Sequence, residues 1–516
     1  MNSNSSSICL IIPPSVFLLD ERVFMSLGIL RVAAVLEQKG YRPSIMDLSG
    51  VSNYTEVVAS YCKNTSTSLF GITATTPQMP AAVGIAKTIR LHQQKSKIIL
   101  GGPHISLVAA AHKREISKGV QEGRAKKAFE ALKEDFNILV AGDGEEAIFV
   151  AIQNNAPSYI DADDPKTHLF LKSSDLDELP FPARHLVDVP SYEYHIEGER
   201  ALSLIAQLGC PYACGFCGGR YSPFLRRIRM RSSDNIISEI EHLYQTYAIK
   251  GFMFYDDELN VNTKMVELMN KLSYLQKKLK VNFQLRGFIK SQLFTNEQAV
   301  AMKEAGFKWI LVGFESGSPR ILKNINKKAT QEENTRCMEI AKRHGLKVKA
   351  LMSVGHPGES KETIEHTREW LLNVKPDDFD MTIITTYAGT PYYDDAVPHD
   401  LEKNVWVYTF NGDRLYSYEV DYSTTAKYYK GDPDGGYQSY VYTDHLSAQE
   451  IVQHRDLVER EVREKLNIPY PKARKAIRYE HSMGQFSGGI PPFILKTPEV
   501  QPSVELQNNV TTRAQS

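Results

Sequence analysis

The sequence of 516 residues lacks several features that mark particular classes of protein. It has no net charge, because 61 basic residues balance 61 acidic ones, so no overall field attracts nucleic acid or an anionic membrane. It also has no apolar run approaching the ~20 residues of a membrane span, and no basic leader followed by an apolar stretch. We therefore expect a cytoplasmic protein that acts on a small molecule, with no nucleic acid partner.

Cysteine is scarce, with six residues in the chain, yet three of them fall within eight positions. Cys210, Cys214 and Cys217 form the pattern Cys-x3-Cys-x2-Cys on a glycine-containing turn. This crowding disfavours a disulfide framework and favours a metal site in a reducing compartment. Structural zinc normally takes four ligands, and no second pair of ligands lies nearby. The spacing favours an iron-sulfur cluster with one iron free of protein ligands, with zinc or three free thiols as alternatives.

The length is sufficient for two or three domains, and the pattern of strands and helices divides the chain. We predict an α/β protein with an N-terminal doubly wound, Rossmann-like domain, a partial (β/α)6 barrel and a small, mostly helical C-terminal region. Ligands of such sheets and barrels bind at the carboxyl ends of the strands. The expected boundaries are 1–150 for the first domain, 151–195 for a Pro- and Asp-rich linker, 196–395 for the barrel, 396–480 for the C-terminal domain and 481–516 for a disordered tail.

Residues 207–217, which read Gln-Leu-Gly-Cys-Pro-Tyr-Ala-Cys-Gly-Phe-Cys, resemble the signature loop of radical S-adenosylmethionine (radical SAM) enzymes. The resemblance runs from about residue 8 to residue 395. It implies that the three cysteines hold a [4Fe-4S] cluster and that the amino and carboxylate groups of SAM chelate its fourth iron. Reductive cleavage then yields a 5'-deoxyadenosyl radical. Phe216 would lie against the adenine; alternatively, it is an aromatic residue of the core.

Other SAM contacts are implied by motifs at the ends of later strands. The run Asp256, Asp257 and Glu258 is similar to the acidic motif near the methionyl amine, although the same residues could simply cap the next helix. Glu315 lies in a Gly-Phe-Glu-Ser run that resembles the family's Gly-x-Glu-Ser element, whose glutamate contacts ribose or orients a neighbouring group. Arg286 is a weaker candidate for binding the carboxylate. The turns at 355–359 and 387–391 resemble those that close the fifth and sixth strands, or are loop geometry alone.

A sheet domain placed before such a barrel resembles the cobalamin-binding subfamily of radical SAM enzymes. Many of its members donate a cobalt-ligating histidine from an Asp-x-His-x-x-Gly loop, whereas this chain has Asp47-Leu48-Ser49 there. We therefore expect cobalamin without a histidine lower ligand, with His104 as a hydrogen-bonding residue; a domain that has lost cobalamin is the alternative. The predicted cobalamin residues lie mostly at strand ends: Gly28, Asp47, Thr73, Thr75, Gly101 and Gly102.

The resemblance implies cobalamin-dependent methyl transfer to an unactivated carbon of a small molecule or natural-product intermediate. It also implies an external electron donor such as flavodoxin or ferredoxin. A radical oxidative cyclase or rearrangement enzyme is the nearest alternative, and a non-catalytic cobalamin-binding sensor is an alternative of another class. The substrate is not predicted, because the tyrosines between residues 405 and 442 either line a pocket or pack a small domain.

Overall fold

A computed structural model describes residues 7–15, 20–425, 438–470 and 490–498. The N-terminal domain is a seven-stranded sheet of order β20-β2-β1-β3-β4-β5-β6, in which all strands but β20 are parallel. Its strands are β1 (Ser7–Ile12), β2 (Arg42–Asp47), β3 (Leu69–Thr73), β4 (Lys97–Gly101), β5 (Ile138–Gly142), β6 (Tyr159–Ala162) and, from the end of the chain, β20 (Leu495–Lys496). Its helices are α1 (Leu27–Gln38), α2 (Tyr54–Asn64), α3 (Met79–His92), α4 (Pro103–Ser117), α5 (Arg124–Asp135) and α6 (Gly144–Ala151).

The second domain is a half-barrel whose sheet has the order β15-β14-β13-β12-β11-β8-β7. Six of these strands are parallel, and β7 pairs antiparallel with β8 at the edge. The strands are β7 (Tyr194–Ile196), β8 (Glu199–Leu204), β11 (Gly251–Phe254), β12 (Gln284–Ile289), β13 (Phe307–Glu315), β14 (Lys347–Val354) and β15 (Asp378–Ile383), with β9 (Gln207–Leu208) and β10 (Arg229–Met230) as a separate pair. The helices are α7 (Ser173–Leu176), α8 (Pro223–Arg226), α9 (Ser233–Tyr247), α10 (Met265–Leu279), α11 (Asn296–Glu304), α12 (Pro319–Asn324), α13 (Gln331–Arg343), α14 (Lys361–Val374) and α15 (Pro391–Asp394).

The C-terminal region contains the expected helix, α16 (Ala448–Leu466), and also a small antiparallel sheet. The strands of this sheet are β16 (Val397–Pro398), β17 (Val405–Phe410), β18 (Asp413–Tyr418) and β19 (Val441–Thr443). The predicted fold class, a doubly wound domain followed by a six-step partial barrel, is confirmed. No helix of the described segments is long and apolar enough to cross a membrane.

Two segments differ from the expected organisation. The Pro- and Asp-rich stretch predicted as a linker contributes β6 to the first sheet, because Ile160 and Ala162 alternate with polar residues and are both buried. Residues 490–498, predicted as part of a disordered tail, place β20 beside β2 and bury Ile494. Both strands are too short for their periodicity to stand out in the sequence. The rest of the predicted tail lies outside the described residues.

Candidate active site

The three cysteines lie on the loop that follows β8, at the carboxyl end of the half-barrel. Backbone hydrogen bonds tie this loop to its surroundings at both ends. The amide of Cys210 donates to the Leu225 carbonyl at 3.0 Å, and the amide of Gly215 donates to the Ile325 carbonyl at 2.8 Å. The loop is therefore fixed by the segments around α8 and α12 before any ligand binds.

The thiols are close enough to interact electrostatically. Cys214 is buried, Cys210 is partly buried and Cys217 is exposed. Although the Cys217 side chain reaches solvent, the protein atoms around its thiol desolvate it and, together with the charges of Cys214 and Asp257, raise its pKa to about 12. Three thiolates at such spacing require bound cations. No group of three His, Cys, Asp or Glu side chains in the described ranges is disposed to hold a single metal ion. In a cluster each thiolate binds a different iron, so the donor set fits [4Fe-4S] better than zinc.

The acidic run after β11 divides into residues with different roles. Asp256 is buried and accepts hydrogen bonds from the backbone amides of Ala206, at 3.0 Å, and Gln207. Burial raises its pKa to about 7. Asp256 therefore fixes the segment between β8 and the cysteine loop. Asp257, by contrast, is exposed and interacts electrostatically with the Cys217 thiol, so it lies beside the cysteine loop.

Two buried lysines that sequence analysis missed lie beside the cysteines. Lys290 follows β12 directly and Lys327 follows α12, and both interact electrostatically with Cys214 and with Glu258. Burial raises the pKa of Glu258, and these two ammonium groups oppose that shift. The signal for Lys290 was its position at the carboxyl end of a barrel strand. No comparable signal marked Lys327.

Glu315 is the centre of a buried hydrogen-bond network. Its carboxylate lies 3.0 Å from the Lys327 ammonium and accepts a hydrogen bond of 2.8 Å from the Ser353 hydroxyl, which also lies 2.8 Å from Nε2 of His356. His356 in turn lies 3.2 Å from the Tyr392 hydroxyl. Glu315 has a φ of 66°, where β13 shifts register against β14. Such left-handed conformations of residues other than glycine cost energy and cluster at functional sites.

Of the two remaining predicted SAM contacts, Phe216 packs beside the candidate site and Arg286 lies away from the cysteine loop. Phe216 packs against α12 and meets the ring of His356 edge to face, with centroids 5.4 Å apart. Arg286 lies inside β12, with its guanidinium 5.6 Å from the Trp309 ring centroid. It is four residues before Lys290, or ~13 Å along an extended strand. The structure therefore does not bring Arg286 to the cysteine loop, whereas Lys290, from the end of the same strand, lies beside it.

A cavity of about 310 Å³ lies between the two domains, at the carboxyl ends of the N-terminal strands. It is at the lower end of the size range of small-molecule sites, roughly 300 to 1,000 Å³. Five predicted cobalamin residues line it: Gly28, Thr73, Thr75, Gly101 and Gly102. Its opposite wall is formed by residues near the cysteine loop, namely Ile205, Leu208 and Phe224.

The glycines of this cavity differ in whether a side chain would fit at their positions. A Cβ atom on Gly28 or Gly101 would project into open space. Gly102 has a φ of 97°, and a Cβ there would lie 2.7 Å from the Thr73 hydroxyl oxygen. Gly28 and Gly101 therefore keep space open for a ligand, whereas Gly102 is required by the backbone.

Asp47 and His104 are not among the residues that line the 310 Å³ cavity. Asp47 is buried, lies 3.1 Å from the Arg22 guanidinium and accepts a hydrogen bond of 2.8 Å from the Tyr192 hydroxyl. It therefore anchors other parts of the fold. His104 is buried, and its Nδ1 lies 3.1 Å from the Thr76 hydroxyl oxygen. Burial lowers the pKa of His104 to about 4, so it is neutral at pH 7.

Comparisons with known proteins agree with this geometry. Residues 204–371 match the model of the radical SAM superfamily. An uncharacterized methyltransferase of Pyrococcus horikoshii is 27% identical over 399 residues, which are 76% of this chain and 84% of that protein. The anaerobic magnesium-protoporphyrin IX monomethyl ester cyclase of Cereibacter sphaeroides is 24% identical over 272 residues, or 50% of this chain and 44% of the cyclase.

Solved structures share the fold across both domains. TsrM of Kitasatospora setae, a radical SAM methyltransferase with cobalamin and a [4Fe-4S] cluster bound, has a TM-score of 0.64 at 16% identity, covering 88% of this chain and 91% of TsrM. OxsB, a cobalamin-dependent radical SAM enzyme, has a TM-score of 0.54 at 14% identity, covering 76% of this chain and 55% of OxsB. Residues 204–371 of the chain therefore form a radical SAM domain.

Proposed function

We propose that this enzyme uses a [4Fe-4S] cluster and cobalamin to methylate an unactivated carbon of a small molecule. The observation that carries the proposal is the position of the glycine-lined cavity, which faces the segments next to the cysteine loop. With both cofactors bound, reductive cleavage of SAM supplies the adenosyl radical and cobalamin supplies the methyl group. The likeness to the Pyrococcus methyltransferase and to TsrM supports methyl transfer.

Several side chains at the carboxyl ends of the barrel strands, which form the barrel rim, suit the binding of SAM beside the cluster. Asp257 and Glu258 offer carboxylates to a cationic methionyl amine, and Lys290 offers a cation to the carboxylate. Glu315, held by Lys327 and Ser353, is rigid enough to orient a ribose hydroxyl. Phe216 presents an aromatic surface at the same rim.

The N-terminal cavity suits the nucleotide tail of cobalamin better than its corrin ring. It is small and largely apolar, and Gly28 and Gly101 leave open space in its wall. We propose that the open space at Gly28 and Gly101 would hold the tail. His104 stays bound to Thr76 and does not ligate cobalt.

We also propose that an acidic one-electron carrier such as flavodoxin or ferredoxin supplies the electron. Two arginines beside the cysteine loop support this partner. Arg226 donates a hydrogen bond of 2.7 Å to the Pro211 carbonyl, and the next residue, Arg227, is exposed. An exposed cation beside a cluster favours encounter with an anionic donor.

The central test is anaerobic incubation of the purified enzyme with SAM and a reductant. The proposal predicts stoichiometric iron and cobalt, 5'-deoxyadenosine that disappears in a Cys214→Ala variant, and S-adenosylhomocysteine with a methylated product when substrate is present. A Cys337→Ala variant is the matched control, because Cys337 is buried in the barrel core. Absence of 5'-deoxyadenosine from the wild type would leave a non-catalytic cofactor-binding protein instead.

The match to the magnesium-protoporphyrin cyclase favours a radical oxidative cyclase as the second candidate. The two functions differ in what happens to the methyl group of SAM. Methyl transfer produces S-adenosylhomocysteine and adds one labelled methyl to the product, whereas cyclisation produces 5'-deoxyadenosine alone and loses hydrogen. Incubation with methyl-labelled SAM therefore separates them.

A further inference from the structure

A second and larger cavity, of about 860 Å³, lies where the N-terminal domain, the barrel rim and the C-terminal sheet meet. Thr76 and His104 at the N-terminal strand ends form one part of its wall. Tyr387, from the loop after β15, and Trp406, from β17, form others. The volume falls within the range of small-molecule sites.

The inner part of this cavity approaches the proposed cluster. The Tyr387 phenol interacts electrostatically with Cys217, the last cysteine of the loop. On the other side, Thr76 and His104 directly follow Thr75 and Gly102–Pro103, which line the 310 Å³ cavity. The 860 Å³ cavity therefore reaches both proposed cofactor regions from one space.

The buried part of the lining is mainly aromatic, and its buried cation is paired. His104 is neutral, and Tyr422 is buried with its hydroxyl donating to the Thr386 carbonyl at 2.7 Å. The buried cation of the wall, Arg124, stacks on the rings of Tyr393 and Trp406 at 3.5 Å and 4.0 Å. Its charge is further balanced by Glu419 at 3.8 Å.

The outer lining carries charges of both signs on exposed side chains. Lys87 and Glu122 have side chains that are 70% and 74% exposed, so both are solvated. A charged ligand group would lose hydration in the inner part without gaining an unpaired counter-charge. An uncharged ring system would gain stacking contacts there instead.

We infer that the 860 Å³ cavity is the substrate chamber and that it takes the uncharged aromatic part of an amphipathic molecule. This inference rests on the proposed function, because it assigns the substrate class of the same reaction. Aromatic contact comes from Tyr387, Trp406 and Tyr422, and hydrogen bonds come from His104 and Thr76. The polar ends of the substrate remain at the outer lining of the cavity, where the exposed charged side chains lie.

The chain offers an internal reporter, because it has three tryptophans and only Trp406 lines the chamber. Trp309 donates to Glu197 at 2.7 Å in the barrel, and Trp370 donates to Thr335 at 3.0 Å. Full-length protein labelled with 5-fluorotryptophan therefore gives three fluorine signals, of which two are controls. The probes are indole, its cationic analogue tryptamine and its anionic analogue indole-3-acetate.

We expect indole to shift the Trp406 signal alone, in a saturable manner, with a Kd at least tenfold lower than those of both charged analogues. Ala128→Phe, which places a ring in the wall of the chamber, should raise the Kd of indole at least tenfold. Glu130→Phe, at an exposed position of the same helix outside the lining, should leave the Kd of indole unchanged.

The inference is overturned if indole gives no saturable shift at Trp406, if a charged analogue binds as tightly, or if Ala128→Phe binds indole like the wild type. The experiment needs neither SAM cleavage nor product formation. No 5'-deoxyadenosine together with an intact Trp406 response would therefore contradict the proposed function but not the assignment of the chamber. Formation of 5'-deoxyadenosine without a saturable Trp406 response would contradict the assignment of the chamber alone.

Discussion

At the scale of single residues, the site depends on charges that are buried but paired. Lys327 and Glu315 are 3.0 Å apart, and both are almost fully enclosed. Burial alone would raise the pKa of Glu315, but the Lys327 charge and the hydrogen bond from Ser353 lower it. The carboxylate is therefore ionised at pH 7 and holds its place without SAM.

Removing one member of the Lys327–Glu315 pair should lower the free energy of unfolding more than removing both charges. Lys327→Met leaves an unpaired buried carboxylate and should lower the free energy of unfolding by about 3–5 kcal/mol. The double variant Lys327→Met, Glu315→Gln should recover most of that loss. Urea unfolding measures both.

The matched control is Lys347→Met, which breaks an exposed pair with Glu197 at 2.8 Å. That change should cost less than about 1 kcal/mol. Equal losses for Lys327→Met and Lys347→Met would contradict the structural role of the buried pair.

At the scale of elements, the ends of strands and helices create the cavities. Gly28 lies in the first turn of α1 and Gly101 ends β4, so that two different elements leave the 310 Å³ cavity open. The edge strand β2 is covered by β20, which comes from the end of the chain. Short segments therefore decide both where a ligand fits and where the sheet stops.

Gly28→Leu should abolish cobalamin binding while leaving the fold intact. The new side chain enters open space, and leucine favours a helix by ~1 kcal/mol relative to glycine. Binding is measured by titration with hydroxocobalamin and by cobalt content after purification. Gly102→Ala provides the contrast, because its Cβ collides with Thr73 and the backbone of Ala74, so it should lower the melting temperature. Full cobalamin loading of Gly28→Leu would argue against this cavity as the site.

Ile494→Ala should lower the free energy of unfolding by about 2–5 kcal/mol, because Ile494 is 1% exposed and its loss leaves a cavity under β2. Thr497→Ala, at an exposed position of the same segment, should have little effect. Thermal unfolding compares the two variants. If both behave like the wild type, the segment does not contribute to the core.

At the scale of the whole molecule, buried ion pairs connect the domains and fix the cysteine loop between them. Glu239 of α9 binds Arg184, at 2.7 Å, and Arg231, and these arginines donate to the carbonyls of Ser203 and Ile205. The strand that leads to the cysteines is thereby clamped from outside the barrel. Arg229 near the loop also binds Asp143 of the N-terminal domain.

Glu239→Gln should destabilise the protein at pH 7, and the difference from wild type should shrink in acid. Burial raises the pKa of Glu239, but Arg184 and Arg231 outweigh it and lower the pKa to about 2. A carboxyl group whose pKa falls on folding stabilises the protein above its unfolded pKa, and this stability is lost as the pH falls through the folded value. The comparison is urea unfolding at pH 7 and at several values between about 4.5 and 2. A pH-independent difference would exclude this linkage.

Much of the barrel follows from local pattern. The sequence pattern predicts helices over 233–247 and 361–374 and a strand over 347–354. The structure has the same bounds, Ser233–Tyr247, Lys361–Val374 and Lys347–Val354, because each segment has a clear period and each helix has a serine cap. β6 and β20 escaped prediction because strands of four and two residues carry too little pattern.

The sequence by itself indicated an iron-sulfur cluster with one open iron, because three cysteines at fixed spacing on one loop are a local feature, and its resemblance to a known family indicated the radical SAM chemistry. It also indicated the glycines of the N-terminal cavity, since carboxyl ends of parallel strands must share one edge of a sheet. Only the tertiary structure decided that Asp256 supports the backbone, that Lys290 and not Arg286 lies beside the cysteines, and that Asp47 does not line the cavity. Side-chain partners from distant segments fix these roles, and no local pattern records such contacts.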